Sequence, residues 1–269
     1  MTAPTPVSEI PVVILCGGMG TRLREASEKL PKPLVDIGGR PILWHIMKLY
    51  SQHGFRKFVL CLGYKGDQIK RYFLDYREHL ADFTLTHDGT QPVFHSAGSV
   101  EDWEITFVET GLQSGTGARV KRVAEHLTHD RFMLTYGDGI GNVDLGAVVR
   151  THVEQGLMGT VTGVHPASRY GEMHVSDTAV VEFNEKPTLA TGWVSGGFFM
   201  FERGFIDKYL DDDAGLLLEH APLQQIARDG QLALHRHEGF WMGMDTYRDW
   251  TELNKLWDAG QAPWKIWED

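Results

Sequence analysis

The stretch PVVILCGG, Pro11 to Gly18, indicates the fold, because an apolar run rich in β-branched residues ends there in two glycines. Such a run is typical of a parallel strand that is buried on both faces. The later stretch GGRPILWHIMKLYSQHG has apolar residues at helical spacing, with Pro41 near its start and Gly54 at its end. A strand, a long loop and a helix are therefore predicted here.

The same alternation continues outward from this stretch. KFVLCLGY is predicted as a second buried strand and DQIKRYFLDYREHL as one helix after it. ARVKRVAEHL, RFMLTYGDG and DLGAVVRTHVEQG predict a helix, a strand and a helix capped by Asp144. From Met158 the strands follow more quickly, in MGTVTGVH, GEMHV, AVVEFNEKP and VSGGFFMFE. Alternating strands and helices favour an α/β fold with a parallel sheet.

Composition excludes several classes of protein. With 269 residues and 42% hydrophobic residues, the chain is long enough to bury a sizeable core. No apolar run approaches the roughly 18 residues of a membrane span, and the first residues lack a signal-peptide pattern, so a cytoplasmic protein without a membrane partner is expected. The net charge of −10 argues against a nucleic-acid partner. Cys16 and Cys61 form no CxxC pair and are predicted to be buried free thiols.

The glycine turn after the first strand suits phosphate but matches neither familiar phosphate loop. A dinucleotide fingerprint needs a third glycine where Leu23 stands, and a Walker A loop needs a Gly-Lys pair that is absent from this stretch. What remains is a set of donors: glycine amides, the Thr21 hydroxyl, the Arg22 guanidinium, and Lys32 held between two prolines. A surface turn with solvated basic residues is the alternative.

Two aspartates and the histidines also have simple structural interpretations. Asp138 lies in YGDG at the end of a predicted strand, the edge where open α/β sheets bind ligands, although an aspartate between glycines is more often a turn former. Asp245 precedes a predicted helix, so an N-cap is the simpler interpretation of it. No pair of the thirteen histidines has the spacing of a zinc-binding helix, and we treat them as structural.

GGMGTRL together with LPKPL resembles the signature of the sugar-1-phosphate nucleotidylyltransferases. LTYGDGIGNVDL, VVEFNEKP, SGGFFMFE, GFWMGMDTYRD and LWDAGQAPWKIWE look like the glucose-1-phosphate cytidylyltransferase branch, so the resemblance covers nearly the whole chain from about Val12. It implies a Rossmann-like, mixed, mostly parallel sheet in an αβα sandwich of the nucleotidyltransferase, GT-A-like type. It also implies a single domain over 1–269, with a nucleotide-binding half at about 11–145 and a sugar-binding and oligomerisation half at about 146–269.

The resemblance implies transfer of CMP from CTP to a sugar 1-phosphate, with glucose 1-phosphate as the first choice, giving CDP-glucose and pyrophosphate with Mg²⁺. The implied catalytic residues are Arg22, Lys32, Asp138 and Asp245, of which Asp138 and Asp245 would hold the metal. The implied nucleotide-binding residues are Leu15, Cys16, Gly17, Gly18, Met19, Gly20, Thr21, Arg22, Lys32, Ser114, Arg119 and Gly137. The implied sugar-phosphate-binding residues are Tyr136, Gly171, Glu185, Lys186, Ser195 and Gly196.

The sugar side of the chain departs from this family pattern. Ser195 replaces the usual asparagine, Met242-Gly243 replaces Gln-Pro, and SRYGEM stands where the family has G-R-F-G. The nucleotide-side motifs are intact, so cytidine is better supported than glucose. Packing is the default interpretation of Trp241, and a place at the border of the sugar pocket is the alternative.

Three other functions stay open. The same transfer could use another phosphorylated acceptor, or another nucleotide such as dTTP or UTP. A catalytically silent regulatory subunit that binds a nucleotide sugar is a second alternative, although it would not need Arg22, Lys32, Asp138, Lys186 and Asp245 together. A metal-dependent glycosyltransferase would need a D-x-D pair, and GDG has one aspartate. A homo-oligomer is expected from the resemblance.

Overall fold

A seven-stranded mixed sheet is the centre of the protein, with strand order β14-β10-β13-β8-β1-β4-β7. The structure is a computed structural model, which describes residues 6–18, 30–87, 89–95, 101–165, 172–176, 179–184 and 192–268. Its strands are β1 (Val12–Leu15), β2 (Asp36–Ile37), β3 (Arg40–Pro41), β4 (Lys57–Leu62), β5 (Phe83–Thr84), β6 (Val93–Phe94), β7 (Glu104–Glu109), β8 (Arg131–Tyr136), β9 (Gly139–Gly141), β10 (Gly159–Val164), β11 (Glu172–Ser176), β12 (Ala179–Asn184), β13 (Val194–Glu202), β14 (Leu232–His237) and β15 (Trp241–Gly243).

Helices cover both faces of this sheet. They are α1 (Ile42–Gln52), α2 (Gly66–Leu74), α3 (Tyr76–Leu80), α4 (Thr116–Arg122), α5 (Leu145–Gln155), α6 (Gly204–Tyr209), α7 (Ala221–Arg228) and α8 (Tyr247–Asp258). Short 3₁₀ helices lie at Val7–Glu9, Lys32–Leu34 and Ala124–His126.

Strand β1 explains how the two layers of helices are held. All four of its residues are buried, and it pairs in parallel with β4 on one side and β8 on the other. Because side chains alternate along a strand, Val12 and Ile14 pack with α1, α5 and α8, whereas Val13 and Leu15 pack with α4, α6 and α7. Strand β13 runs antiparallel to both of its neighbours. The predicted αβα sandwich with a mixed, mostly parallel sheet is confirmed.

Two helix predictions fail because contacts with other parts of the chain decide where these helices end. DQIKRYFLDYREHL forms two helices, because the chain turns at Asp75 and the buried side chain of Tyr76 then accepts a 2.6 Å hydrogen bond from the Trp44 indole. ARVKRVAEHL ends as an α-helix at Arg122 and continues as a 3₁₀ turn. The predicted cap of α5 is confirmed, since Asp144 accepts from the amide of Ala147 at 2.9 Å.

Two further expectations concern the cysteines and the membrane. Cys16 and Cys61 are free and buried, and burial raises the pKa of both thiols, that of Cys61 to about 12. None of the helices in the described parts of the chain is long and apolar enough to cross a membrane.

Candidate active site

The glycine turn after β1 lies at the carboxyl edge of the parallel strands. The amide of Cys16 donates to the carbonyl of Cys61 at 3.1 Å, and the amide of Gly137 donates to the carbonyl of Leu15 at 3.0 Å. A Cβ on Gly17 would lie 2.2 Å from the Arg119 guanidinium, so a side chain there would displace that guanidinium. A Cβ on Gly18 would meet no described atom within 4 Å. Among the described residues, none therefore fills the space beside Gly18.

The Arg119 side chain holds the glycine turn in place through hydrogen bonds. Its guanidinium is buried and donates to the carbonyl of Leu62 at 3.0 Å, to the Thr110 hydroxyl at 2.7 Å and to the carbonyl of Gly17 at 3.2 Å. Burial lowers the pKa of Arg119. These bonds join the ends of β1 and β4, while the predicted contact of Arg119 with a nucleotide stays a prediction.

Lys32 stands between two carboxylates. Its ammonium donates to Asp138 at 2.6 Å and to Asp245 at 2.8 Å. Burial opposes the charge on Lys32, but the two carboxylates outweigh it and raise the pKa of Lys32. The carboxylates keep about a third of their side-chain surface exposed. Lys32 is thus a cation fixed at a point that a ligand can reach.

A small ladder brings the two aspartates together. Strand β9 begins directly after Asp138, β15 ends two residues before Asp245, and the two strands pair antiparallel with Gly139 opposite Gly243. The amide of Met244 also donates to the carbonyl of Asp138 at 2.8 Å. Residues 138 and 245 therefore lie at the same end of this ladder.

The N-cap interpretation of Asp245 is wrong. The cap of α8 is Thr246, which forms a capping box with Asp249. Asp249 accepts from the amides of Asp245 at 3.1 Å and Thr246 at 2.9 Å. The capping box therefore fixes the backbone at Asp245 and leaves the Asp245 side chain to Lys32.

The donor set of this pair suits a magnesium ion that is also bound by its substrate. No group of three or more His, Cys, Asp and Glu side chains able to hold a metal occurs in the described residues. Mg²⁺ usually takes one or two protein carboxylates and completes its shell with phosphates and water. The Lys32 ammonium already bonds to both carboxylates, which shows that one cation can bridge them. Asp138 and Asp245 thus fit Mg²⁺.

A cavity of about 260 Å³ opens beside Lys32 and Asp138. Its lining consists of Leu15, Cys16, Gly17, Gly18, Lys32, Pro33, Ser114, Gly115, Thr116, Arg119, Tyr136, Gly137, Asp138 and Leu217. Every predicted nucleotide-binding residue in the described chain is in this lining. The predicted residues Met19, Gly20, Thr21, Arg22, Gly171, Glu185 and Lys186 lie outside the described residues.

Part of the cavity lining was not predicted from the sequence. Gly115 and Thr116 directly follow the predicted Ser114 in the sequence, so their position offered a signal. Leu217 offered none, because it comes from a loop about one hundred residues further along the chain.

The residues predicted for the sugar side flank the same edge. Ser195 and Gly196 are in the first part of β13, and the Trp241 indole donates to the carbonyl of Gly196 at 2.8 Å. Tyr136 packs on Gly197, where φ is +75° and a Cβ would lie 2.5 Å from the Tyr136 ring. Burial and the neighbouring carboxylate of Glu219 raise the pKa of Tyr136. The structure thus places Trp241 beside Gly196, close to the two aspartates.

The fold and the site together define the class. A glycine turn, a lysine and two carboxylates at the carboxyl edge of a Rossmann-like sheet define an α/β protein with a candidate site for the phosphates of a nucleotide.

Comparisons with known proteins agree. The family described as Nucleotidyl transferase matches residues 11–262. A probable glucose-1-phosphate cytidylyltransferase of Bacillus subtilis is 44% identical, covering 95% of this chain and 99% of its own. The glucose-1-phosphate cytidylyltransferase of Salmonella typhimurium is 45% identical with the same coverage. The crystal structure of HddC from Yersinia pseudotuberculosis shares the fold, with a TM-score of 0.68, 22% identity, and coverage of 92% of this chain and 99% of HddC. The chain belongs to the nucleotidyl transferase family and, within it, to the glucose-1-phosphate cytidylyltransferases.

Proposed function

We propose that the protein transfers CMP from CTP to glucose 1-phosphate and releases pyrophosphate. The observation that carries this proposal is Lys32 bonded to Asp138 and Asp245 at one end of a cavity beside the glycine turn. The names of the relatives at 44% and 45% identity support the choice of CTP and glucose 1-phosphate.

The reaction is a single displacement at phosphorus. A phosphate oxygen of glucose 1-phosphate forms a bond to the α-phosphorus of CTP, and the bond from that phosphorus to the β-phosphate oxygen breaks. Both reacting oxygens belong to ionised phosphates, so no proton needs to move and no covalent enzyme intermediate is needed. Positioning and charge stabilisation then carry the rate.

The residues of the site would have different roles in this reaction. The glycine turn, of which Gly17 and Gly18 line the cavity, would bind the triphosphate through backbone amides. Lys32 lines the cavity, so its ammonium can contact phosphate oxygens as well as carboxylates. Arg22 and Lys186 stay predicted donors to the triphosphate and to the acceptor phosphate. Asp138 and Asp245 would hold Mg²⁺, which neutralises charge at the α-phosphate when it is bound.

The remaining expectations belong to the same proposal. One nucleotidyltransferase domain would bind the nucleotide with about 11–145 and the sugar phosphate with about 146–269, in the cytoplasm and without nucleic acid or membrane. A homo-oligomer is part of the proposal as well, because most soluble oligomers are symmetric assemblies of one chain and the family resemblance implies one.

A substrate panel tests the proposal. CTP, UTP, dTTP, ATP and GTP are each combined with glucose 1-phosphate, mannose 1-phosphate and galactose 1-phosphate, and pyrophosphate release is measured with Mg²⁺ or with EDTA. We expect CTP with glucose 1-phosphate to give the highest kcat/KM and EDTA to abolish turnover. The variant Asp138→Asn, purified identically, controls for contaminating enzymes.

Each alternative has its own outcome in this panel. If the protein prefers another nucleotide or acceptor, the proposed substrates are wrong and the proposed nucleotidyl transfer stands. If calorimetry shows that CTP binds but no pair of nucleotide and sugar 1-phosphate releases pyrophosphate, the protein is a catalytically silent binding subunit.

A further inference from the structure

A loop segment from the second half of the chain covers the start of α4. This segment, Asp213–Glu219, is called the 213–219 segment below. The amide of Gly115 donates to the carbonyl of Ala214 at 2.9 Å, and the amides of Gly117 and Ala118 donate to the carbonyl of Leu216 at 3.0 and 3.2 Å. These first amides of the helix are therefore used by protein, and they are not the donors for a phosphate group.

The glycines of SGTGA are explained by this contact. A Cβ on Gly115 would lie 2.2 Å from the carbonyl oxygen of Leu216, and a Cβ on Gly117 would lie 2.9 Å from the Leu216 side chain. Any side chain at either position would push the 213–219 segment away from the helix. The two glycines are thus required for close packing of this segment.

Glu219 fastens the end of the segment to two residues of the cavity. One carboxylate oxygen accepts from the Tyr136 hydroxyl at 2.5 Å, and the other accepts from the Thr116 hydroxyl at 2.6 Å. The Thr116 oxygen in turn accepts from the amide of Leu218 at 2.9 Å. Tyr136 and Thr116 both line the cavity, so Glu219 fixes its wall at two points.

Leu217 is the side chain that this segment contributes to the cavity. It lines the cavity next to Ser114, Gly115 and Thr116, which are uncharged, and 40% of its surface is exposed. The charged groups Lys32 and Asp138 line the same cavity and suit a triphosphate, whereas the guanidinium of Arg119, also in the lining, is already bonded to the carbonyls of Leu62 and Gly17. An exposed apolar side chain among uncharged residues suits the face of a base.

We propose that the 213–219 segment selects the base of the nucleotide: Leu217 packs against the base and limits it to the size of a pyrimidine, and Glu219 is the positioning residue that holds this wall. The inference rests on the proposed function, because it requires a nucleotide in this cavity. Leu217 touches the ligand directly, whereas Glu219 acts through Tyr136 and Thr116.

The first test changes Leu217 to alanine. We measure kcat and KM for CTP and for ATP with glucose 1-phosphate, and the affinity of each nucleotide by calorimetry without the acceptor. Losing the buried contact raises the KM for CTP about tenfold. The KM for glucose 1-phosphate stays within about twofold, and the ratio of kcat/KM for ATP to that for CTP rises because the pocket is larger. Leu74→Ala, at an exposed position on α2, is the matched control.

The second test separates positioning from folding. Glu219→Ala removes two hydrogen bonds to a carboxylate and lowers kcat/KM for CTP about 10- to 100-fold. Glu219→Gln restores part of this loss, because its amide oxygen still accepts one bond. Thr116→Val has a smaller effect in Glu219→Ala than in the wild type, because the two residues share one hydrogen bond. Glu154→Gln, on the exposed surface of α5, is the control, and thermal unfolding checks that each variant is folded.

Several outcomes would overturn the proposal. Leu217→Ala would do so by raising the KM of both substrates equally, or by leaving the ratio of ATP to CTP unchanged. Additive effects of Glu219→Ala and Thr116→Val would remove the positioning role. If the wild type binds CTP without turnover, the proposed function fails while calorimetry on Leu217→Ala still decides the inference. If the wild type binds no nucleotide, both fail.

Discussion

Two junctions connect distant parts of the chain, and they are built from opposite kinds of side chain. The charged junction consists of Lys32, Asp138 and Asp245, and its longest connection spans 213 residues. Its carboxylates are about one third exposed beside the cavity. Lys32 and Asp138 line the cavity, so both are within reach of a substrate that enters it.

The aromatic junction is built around a buried histidine. His45 is fully buried, with Nε2 2.9 Å from the carbonyl of Ile37 and Nδ1 3.4 Å from the indole nitrogen of Trp264, 219 residues away. The indole can only donate, so Nδ1 accepts, and Nε2 carries the proton that is donated to Ile37. The rings of Trp257 and Trp267 lie 4.7 and 6.0 Å from the His45 ring.

This contrast separates function from stability. Under the proposed function, the ions of the charged junction would change partners during turnover, so variants of this junction should lose activity and keep their fold. The rings of the aromatic junction lie outside the lining of the cavity beside Lys32, so variants of this junction should lose stability and keep the activity of the folded fraction.

The largest expected effect comes from the charged junction. Asp138→Asn keeps the shape of the side chain and removes one negative charge. We expect kcat to fall by about 10²- to 10³-fold or more, as it does when a group that stabilises transition-state charge is removed. The free energy of unfolding should change by less than about 1 kcal/mol, because the ion pair is partly exposed and Lys32 keeps Asp245. Pyrophosphate release and urea unfolding measure the two quantities.

The control for this variant is Asp67→Asn, at an exposed position on α2. It removes the same charge far from the cavity and should leave kcat unchanged. Full turnover of Asp138→Asn at saturating Mg²⁺ would contradict the role given to the carboxylate.

The charged junction also shows how far the sequence could predict the site. Lys32 and Asp138 were visible locally, because two prolines flank Lys32 and a strand with a clear apolar pattern ends just before Asp138. The approach of Asp245 was not, because GIG and WMG are too short and too rich in glycine to show strand periodicity. The sequence supplied that pairing only through the family resemblance.

The fold was more predictable than the site for a related reason. Strands such as VVIL and KFVLCL are continuous apolar runs, and α1 has a complete apolar face, so each element carries its own signal. The break at Asp75 and the wall formed by Leu217 depend on contacts with distant residues. Such contacts leave no periodic pattern in the segment itself.

The second-largest expected effect comes from the aromatic junction. Trp264 is fully buried, and Trp264→Ala should lower the free energy of unfolding by about 3–5 kcal/mol. The kcat of the folded protein should stay within about twofold of the wild type, since Trp264 is not in the lining of the cavity. Trp264→Phe should cost less, because it keeps an aromatic ring near Phe240. A stable Trp264→Ala variant without activity would reverse the contrast between the two junctions.

The smallest effect is a pH dependence at His45. Burial lowers its pKa to about 4, whereas the unfolded chain binds a proton near pH 6.5. The contribution of neutral His45 to the free energy of unfolding is therefore fully present above pH 6.5 and is lost as the pH falls toward 4. Between pH 8 and pH 5 we expect the free energy of unfolding to drop by about 2 kcal/mol through this one residue. Urea unfolding at both values measures the drop.

A substitution isolates the share of His45 in that drop. His53, His152 and His235 also have pKa values lowered by burial, so the wild-type loss should exceed that of His45 alone. His45→Gln keeps a polar side chain that cannot titrate, and it should lose about 2 kcal/mol less than the wild type between pH 8 and pH 5, whatever its stability at pH 8. An equal loss in both proteins would mean that His45 is protonated in the folded state, and the aromatic junction would then not be neutral.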